Sequence, residues 1–442
     1  MDLSNRERAV CDDISGRRDE LVELASSLIG FDTTARDVGD PPRDEAALQS
    51  SLADRLRGAG ADVDVWEPSA EAMAGRPRVP PGLDFVGRPQ LVASFGGAGG
   101  GRSLLFNGHI DAVSAEPLDR WTSDPFTAEI RDGRLYGRGS CDMKGGVASM
   151  VFAAEVLARL GVELSGDLVV ATNTDEESSG AGGSAVVTRG IRADAGIVTE
   201  PTGFDTWVAC RGSEYGVVRV PGRPGHAEVR QVPWRDGGAV NAIEKATVVI
   251  DAIRSLRARW AALPELRHPH LSAPDLLPTV IAAGEWAVTY PATCDLTVAV
   301  MYVPAQVGEQ EPGLAVRAEV EAWIARETAE DDWLAEHPPV IEWWPNGVPP
   351  LEIGEDEPIV STMLEASRAV GRSGSRAGLD SWYDGATYTG LAGIPSIAYG
   401  PSGFNPDGTS VAHTIDEYVP VDDLVTCAQG LAVAAMRFCG AR

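Results

Sequence analysis

Imidazole and carboxylate side chains recur in this chain where apolar runs end. LLFNGHID carries His109 and Asp111, and DLVVATNTDEESSG carries the adjacent pair Glu176 and Glu177. GIVTE ends on Glu200, GRGSCDMKGG sets Asp142 just ahead of a helical pattern, and AHTIDEYV sets His413 close to acids. Imidazole with carboxylate is the donor chemistry of zinc, cobalt or manganese sites. Asp111 stands two residues beyond His109 and on an extended segment points the same way, where it would accept the second ring proton and orient the imidazole. Neighbours on an extended segment diverge, so one of Glu176 and Glu177 could bind metal while the other faces water and substrate. Taken singly, each fragment has a plainer reading. HID or DEE is a turn, DMKGG a helix start with glycine flexibility, and His413 a surface histidine. His268, His270 and His337 lack acidic context, and Cys141 beside Asp142 reads as packing.

Elements able to place these residues can be read along the chain. RRDELVELASSLIG has helical spacing, with Leu21, Leu24, Leu28 and Ile29 on one face, and RDEAALQSSLADRLRGAGA is a second helix. DVDVWEP, QLVASF, SLLFNG, DLVVAT and AGIVTE read as strands, residues 74–89 as a loop, and GGVASMVFAAEVLARLG as a helix with Val147, Met150, Val151, Ala154 and Leu157 facing the core. Strands alternating with helices predict an α/β domain with a mainly parallel sheet, whose ligands gather at the carboxyl ends of strands. After Arg211 the pattern becomes strand-helix-strand-strand-helix-strand, which predicts a ferredoxin-like α+β insertion. Its long helix, AVNAIEKATVVIDAIRSLRARW, places Ile243, Ala246, Ile250, Ile253, Leu256 and Trp260 on one face. The expected division is residues 1–210 and 348–442 for one domain and 211–347 for the insertion.

The net charge of −28 over 442 residues argues against a nucleic-acid partner or an anionic membrane surface. No apolar stretch is long enough to span a bilayer, and MDLSNRERAV lacks the apolar segment of a secretory signal, so the cytoplasm is expected. Six scattered cysteines without a Cys-x-x-Cys pair are expected to be reduced thiols.

Taken together and in order, GHIDAV, LYGRGSCDMKGG, NTDEESSG, VTEPT and HTIDEYV resemble the two-metal amidohydrolases that include acetylornithine deacetylase, succinyl-diaminopimelate desuccinylase, aminoacylase and glutamate carboxypeptidase. GRPGHAEV and GGAVNAI are similar to the opening of that family's inserted lid and dimerisation domain. The resemblance implies a zinc-peptidase-like catalytic domain and a homodimer formed through the lid. It implies two divalent ions, with Asp142 bridging, His109 and Glu200 completing one site, and Glu177 and His413 the other. The ions are expected to be zinc, with cobalt or manganese as alternatives. The four carboxylates Asp142, Glu176, Glu177 and Glu200 would be costly to assemble unpaired, and two divalent cations neutralise them in formal count.

The implied reaction is hydrolysis of an amide, foremost deacylation of an N-acyl amine or amino acid of the deacetylase or deformylase type. Glu176 would be the general base, Asp111 would orient His109, and His226 would help to stabilise the oxyanion. A dipeptidase or carboxypeptidase is the alternative, and a non-catalytic binding relative a remote one. The substrate is expected to be a small N-acyl compound, with Arg211, Arg230, Asn241 and Asp384 as candidate contacts. Two positions depart from the family. Val288 stands where relatives carry an Asn, and Met301 where they carry the Arg that binds the substrate's carboxylate. Either Arg211 or Arg230 takes over that role, or the substrate lacks the carboxylate.

Overall fold

The computed structural model describes residues 2–308, 311–345 and 347–442. The chain divides into two compact units, Met1–Ala209 with Glu352–Gly378 and Tyr383–Arg442, and Cys210–Leu351 with Leu379–Trp382.

The larger sheet runs in the order Asp62–Trp66, Gln90–Phe95, Leu168–Asn173, Leu104–His109, Ala195–Val198, Ser396–Ala398, Thr206–Cys210, Leu351–Glu352, with Arg376–Leu379 also paired to Thr206–Cys210. Its centre is parallel: Leu104–His109 lies between Leu168–Asn173 and Ala195–Val198, and Ser396–Ala398 continues beyond them. Asp62–Trp66 and Gln90–Phe95 on one side, and Thr206–Cys210 on the other, join it antiparallel. Leu104–His109 and Leu168–Asn173 are buried at every position, as expected of parallel strands covered on both faces. Leu105, Val169 and Ala171 pack with Val186 and Tyr388 from the helices Ala181–Arg189 and Gly385–Ala392. The helix Gly145–Arg159 is buried from Gly145 to Leu157 and packs on the last helix, Val421–Cys439.

The two glycines of DMKGG serve this packing more than flexibility. A Cβ on Gly146 would collide with the Thr199 carbonyl oxygen, and one on Gly145 with that of Ser140. Glycine lets the start of the helix approach the end of the Ala195–Val198 strand, where Glu200 follows.

The second unit has an antiparallel sheet in the order Asp275–Ala283, Thr293–Tyr302, Gly212–Pro221, Val340–Trp343. The helices Ala242–Ala262 and Leu314–Thr328 follow its first and third strands in the chain. This is the strand-helix-strand-strand-helix-strand plan of a ferredoxin-like sandwich. Ile243, expected on the core face of the long helix, is exposed. The buried stripe is Ala242, Ala246, Val249, Ala252, Ile253, Leu256 and Trp260, a spacing that leaves Ile243 outside it. Leu379–Trp382 join this unit although they lie beyond the boundary expected at residue 347, because Asp380 accepts from the Ser272 backbone N–H at 2.8 Å and its carbonyl accepts from Arg211 Nε at 2.9 Å. Among the described residues no helix is long and apolar enough to cross a membrane, and the six cysteines are buried and form no disulfide.

Candidate metal centre

Three strand ends and two loops of the first unit bring the acids and imidazoles together. His109 closes its strand with the ring buried. Its Nε2 lies 3.3 Å from Asp142 Oδ1, 3.9 Å from Glu176 Oε2 and 4.0 Å from Glu200 Oε1. The second carboxylate oxygen of Asp142 faces the other imidazole, 3.3 Å from His413 Nε2, which is also 3.1 Å from Glu177 Oε1. Asp142 therefore stands between two imidazoles with one oxygen toward each. His109, Asp142 and Glu177 also offer ligand atoms that all lie within 4.8 Å of one another.

The adjacent glutamates do not lie on an extended segment. The chain turns after Asn173, with Asp175 at φ 60° and held by an ion pair from buried Arg88 at 2.5 Å. Asp111 fixes this turn. Its carboxylate accepts the backbone N–H of Glu176 at 3.2 Å and of Glu177 at 3.0 Å. His109 Nδ1 is instead 2.9 Å from the Asp111 backbone carbonyl, with the carboxylate at 3.7 Å. Asp111 orients the imidazole through its main chain, and its side chain positions the glutamates. The reason is geometric, since the turn presents two free N–H groups and a carboxylate satisfies both.

The electrostatics call for positive charge. Burial, with Glu200, Glu177 and Asp384 nearby, raises Glu176 well above the ordinary carboxylate range. Burial, with Asp142 and Glu177 nearby, does the same to Glu200. Burial also lifts Asp111 to about 7. The His109 imidazole loses solvation, yet the Asp142 hydrogen bond and the surrounding carboxylates push it well above its usual value. Hydrogen bonds to Asp142 and Glu177 push His413 up to about 10. Such a cluster retains protons unless a cation replaces them, and metal binding to these side chains releases protons. Glu200 Oε1 is buried without a hydrogen-bond partner. An orphaned carboxylate oxygen facing an imidazole, in a set of carboxylates and imidazoles, fits a metal ligand.

Supporting residues went unread in the sequence because their partners are distant. Lys144 donates to the Phe31 carbonyl at 2.7 Å, and burial lowers it to about 8. Asn107 donates to Asn173 at 2.7 Å and to the Tyr388 hydroxyl at 2.8 Å. Asn173 donates in turn to Asp384 at 2.6 Å. Asp384 is buried and also accepts from Thr387, so its carboxylate serves this network behind the strand ends. The only signals were polar residues, Asn107 and Asn173, inside apolar strands.

The remaining candidates lie in the second unit. His226 is exposed on the short strand Gly225–His226, paired with Thr289–Tyr290, and its Nδ1 accepts the Glu228 N–H at 3.3 Å. Arg230 is exposed. Asn241 caps the long helix, accepting the Ile243 N–H at 3.0 Å. Arg211 is engaged by the Asp380 and Ala273 carbonyls at 2.9 and 3.1 Å. Met301 is half-buried in its strand opposite Ser213, and the Val288 carbonyl accepts from Ala227.

Residues 105–437 match Peptidase family M20/M25/M40. An N-formyl-4-amino-5-aminomethyl-2-methylpyrimidine deformylase of Bacillus subtilis is 27% identical, with 93% of each chain covered. An acetylornithine deacetylase of Myxococcus xanthus is 31% identical over 81% of this chain and 87% of its own. Among solved structures, a Bacillus subtilis protein described as a dinuclear metal binding peptidase from the M20 family superposes with a TM-score of 0.63 at 14% identity, over 96% of this chain and 99% of that one. That likeness is one of fold. The family match spans every residue of the acid–imidazole cluster, and this chain, a metal-binding hydrolase of amide bonds, belongs to peptidase family M20/M25/M40.

Proposed function

We propose that the chain removes a small acyl group, formyl or acetyl, from an amine. The observation that carries its two-metal chemistry is the two-sided use of Asp142, with one oxygen 3.3 Å from His109 and the other 3.3 Å from His413. His109, Asp142 and Glu200 would hold one divalent ion, and Asp142, Glu177 and His413 a second. Glu177 is assigned to the His413 side by its 3.1 Å approach to that ring, and Glu200 to the His109 side by its unpartnered oxygen. Zinc suits this donor set, as do cobalt and manganese. When bound, such ions acidify water and polarise an amide carbonyl.

Glu176 is then the carboxylate not needed as a ligand. It takes a proton from the attacking water and returns it to the departing amine nitrogen. Asp111 holds Glu176 and Glu177 in place through their backbone N–H groups. His226, which a homodimer would bring to the partner subunit's site, is assigned to donate a hydrogen bond to the oxyanion. The homodimer through the second unit is supported by the Asp275–Ala283 strand, which is at the sheet edge among the described residues and exposes Val280 and Ile281. Buried cysteines that form no disulfide support a reducing compartment such as the cytoplasm.

The substrate is proposed to lack the carboxylate that relatives bind through an Arg at the Met301 position. Met301 is apolar and Arg211 is engaged within its own unit, so a substrate carboxylate would be left to the exposed Arg230 alone. The deformylase and deacetylase relatives support acyl removal. The test is a panel of N-formyl, N-acetyl and N-succinyl amines, with and without a carboxylate, alongside dipeptides. Turnover of formyl or acetyl amines without dipeptide cleavage is expected. Comparable kcat/KM on dipeptides would replace this reading with a peptidase, and no turnover of either by metal-loaded protein would favour a binding role.

A further inference from the structure

We propose that the buried Glu417–Arg138 pair is a clasp that sets the separation of Asp142 from His413, and so the affinity of the second divalent ion. This rests on the two-metal reading above. Glu417 and Arg138 are 279 residues apart in sequence and meet at 2.6 Å. Their side chains are 1% and 2% exposed. The same Glu417 oxygen accepts the Gly139 N–H at 3.1 Å, and the other accepts the N–H groups of Cys141 at 3.0 Å and Asp142 at 3.1 Å. One carboxylate thus fills its four acceptor sites on the turn that carries Asp142. Gly139, at φ +78°, permits that turn.

The main chain is pinned at the same place. The strand Tyr418–Pro420 pairs antiparallel with Arg134–Tyr136, and the Gly137 N–H donates to the Glu417 carbonyl at 3.0 Å. Asp142 follows Arg138 by four residues, and His413 precedes Glu417 by four. Both ligands therefore hang on short tethers from one buried point. His413 needs such a tether. Its side chain is 51% exposed, so packing does little to place the ring. Glu417 is buried with its oxygens on Arg138 and the Asp142 turn, and acts through Asp142 and His413 as a positioning residue. Changes to groups that hold metal ligands typically weaken metal affinity by about 10- to 100-fold.

The test titrates the stripped full-length protein with cobalt(II), following stoichiometry by calorimetry and the visible spectrum of the bound ion. Wild type is expected to take up two equivalents. Glu417→Gln, which removes the charge, is expected to bind the second equivalent at least about tenfold more weakly with an altered spectrum. Glu417→Asp keeps the charge but is too short to span Arg138 and the Asp142 turn together, and the same weakening is expected should the Gln variant not fold. Arg437→Met breaks the remote Glu7 ion pair, 2.7 Å long, and is expected to bind both equivalents as wild type does. Glu417 variants that bind both ions normally would overturn the clasp alone. Equal weakening in Arg437→Met would overturn it as well, by exposing a general loss of stability. A wild-type chain that takes up no second equivalent would overturn the two-metal reading and the clasp with it.

Discussion

The ligand cluster of the first unit and the candidate substrate residues of the second are built on opposite terms. Around Asp142, nearly every group has two jobs. His109 faces Asp142 and the Asp111 carbonyl, and Asp111 holds both glutamates. In the second unit, His226 and Arg230 are exposed, while Asn241 and Arg211 are occupied by their own unit. The difference teaches that the candidate metal centre is preorganised by burial, whereas His226 and Arg230 have no comparable packing to fix them. Buried dipoles and charges cost no reorganisation during the reaction, which is why chemistry belongs on the rigid side.

The strongest way to break this contrast is to remove the metals. Chelation is expected to abolish turnover and leave far-UV circular dichroism near native, with activity restored by zinc or cobalt; an active stripped enzyme would end the comparison. Next comes the pair of adjacent glutamates. Glu176→Gln is expected to lower kcat by about 10²- to 10⁴-fold while both metals stay bound, as metal analysis would report. Glu177→Ala is expected to weaken the second metal instead, so that high metal concentration recovers part of the rate. Identical behaviour of the two variants would erase their division of labour.

His226→Ala is expected to cost about 10²- to 10³-fold in kcat with the melting temperature unchanged, since the side chain is exposed. A large drop in melting temperature would mean a structural role. The smallest effect is assigned to Asn241→Ala. Loss of the cap on the Ala242–Ala262 helix is expected to cost about 1 kcal/mol by denaturant unfolding, with kcat/KM unaltered. A fall in kcat/KM without a change in stability would move Asn241 from cap to substrate contact.

Much of this was legible because strands and helices announce themselves by period. Apolar runs that lead to His109, Glu176 and Glu200 become parallel strands whose carboxyl ends converge, as the alternating pattern required. What was not legible depends on geometry that residue type leaves open. Asp111 was a plausible partner for the His109 ring, but only the turn after Asn173 shows that its carboxylate faces two backbone N–H groups. Ile243 fits a helical period and still falls outside the buried stripe, because the period does not fix which adjacent rotation faces the sheet.

The sequence by itself determined the two plans of strand and helix, the donor types and the apolar character of Val288 and Met301. Those are local properties, set by side-chain chemistry and spacing along the chain. Tertiary structure alone decided that Asp142 presents one oxygen to each imidazole, that Asp384 is bound up in a buried network, and that Glu417 closes on Arg138 across 279 residues. Contacts of that kind arise where separate strand ends and loops are packed together. Burial then makes each unpaired charge costly enough to select one partner.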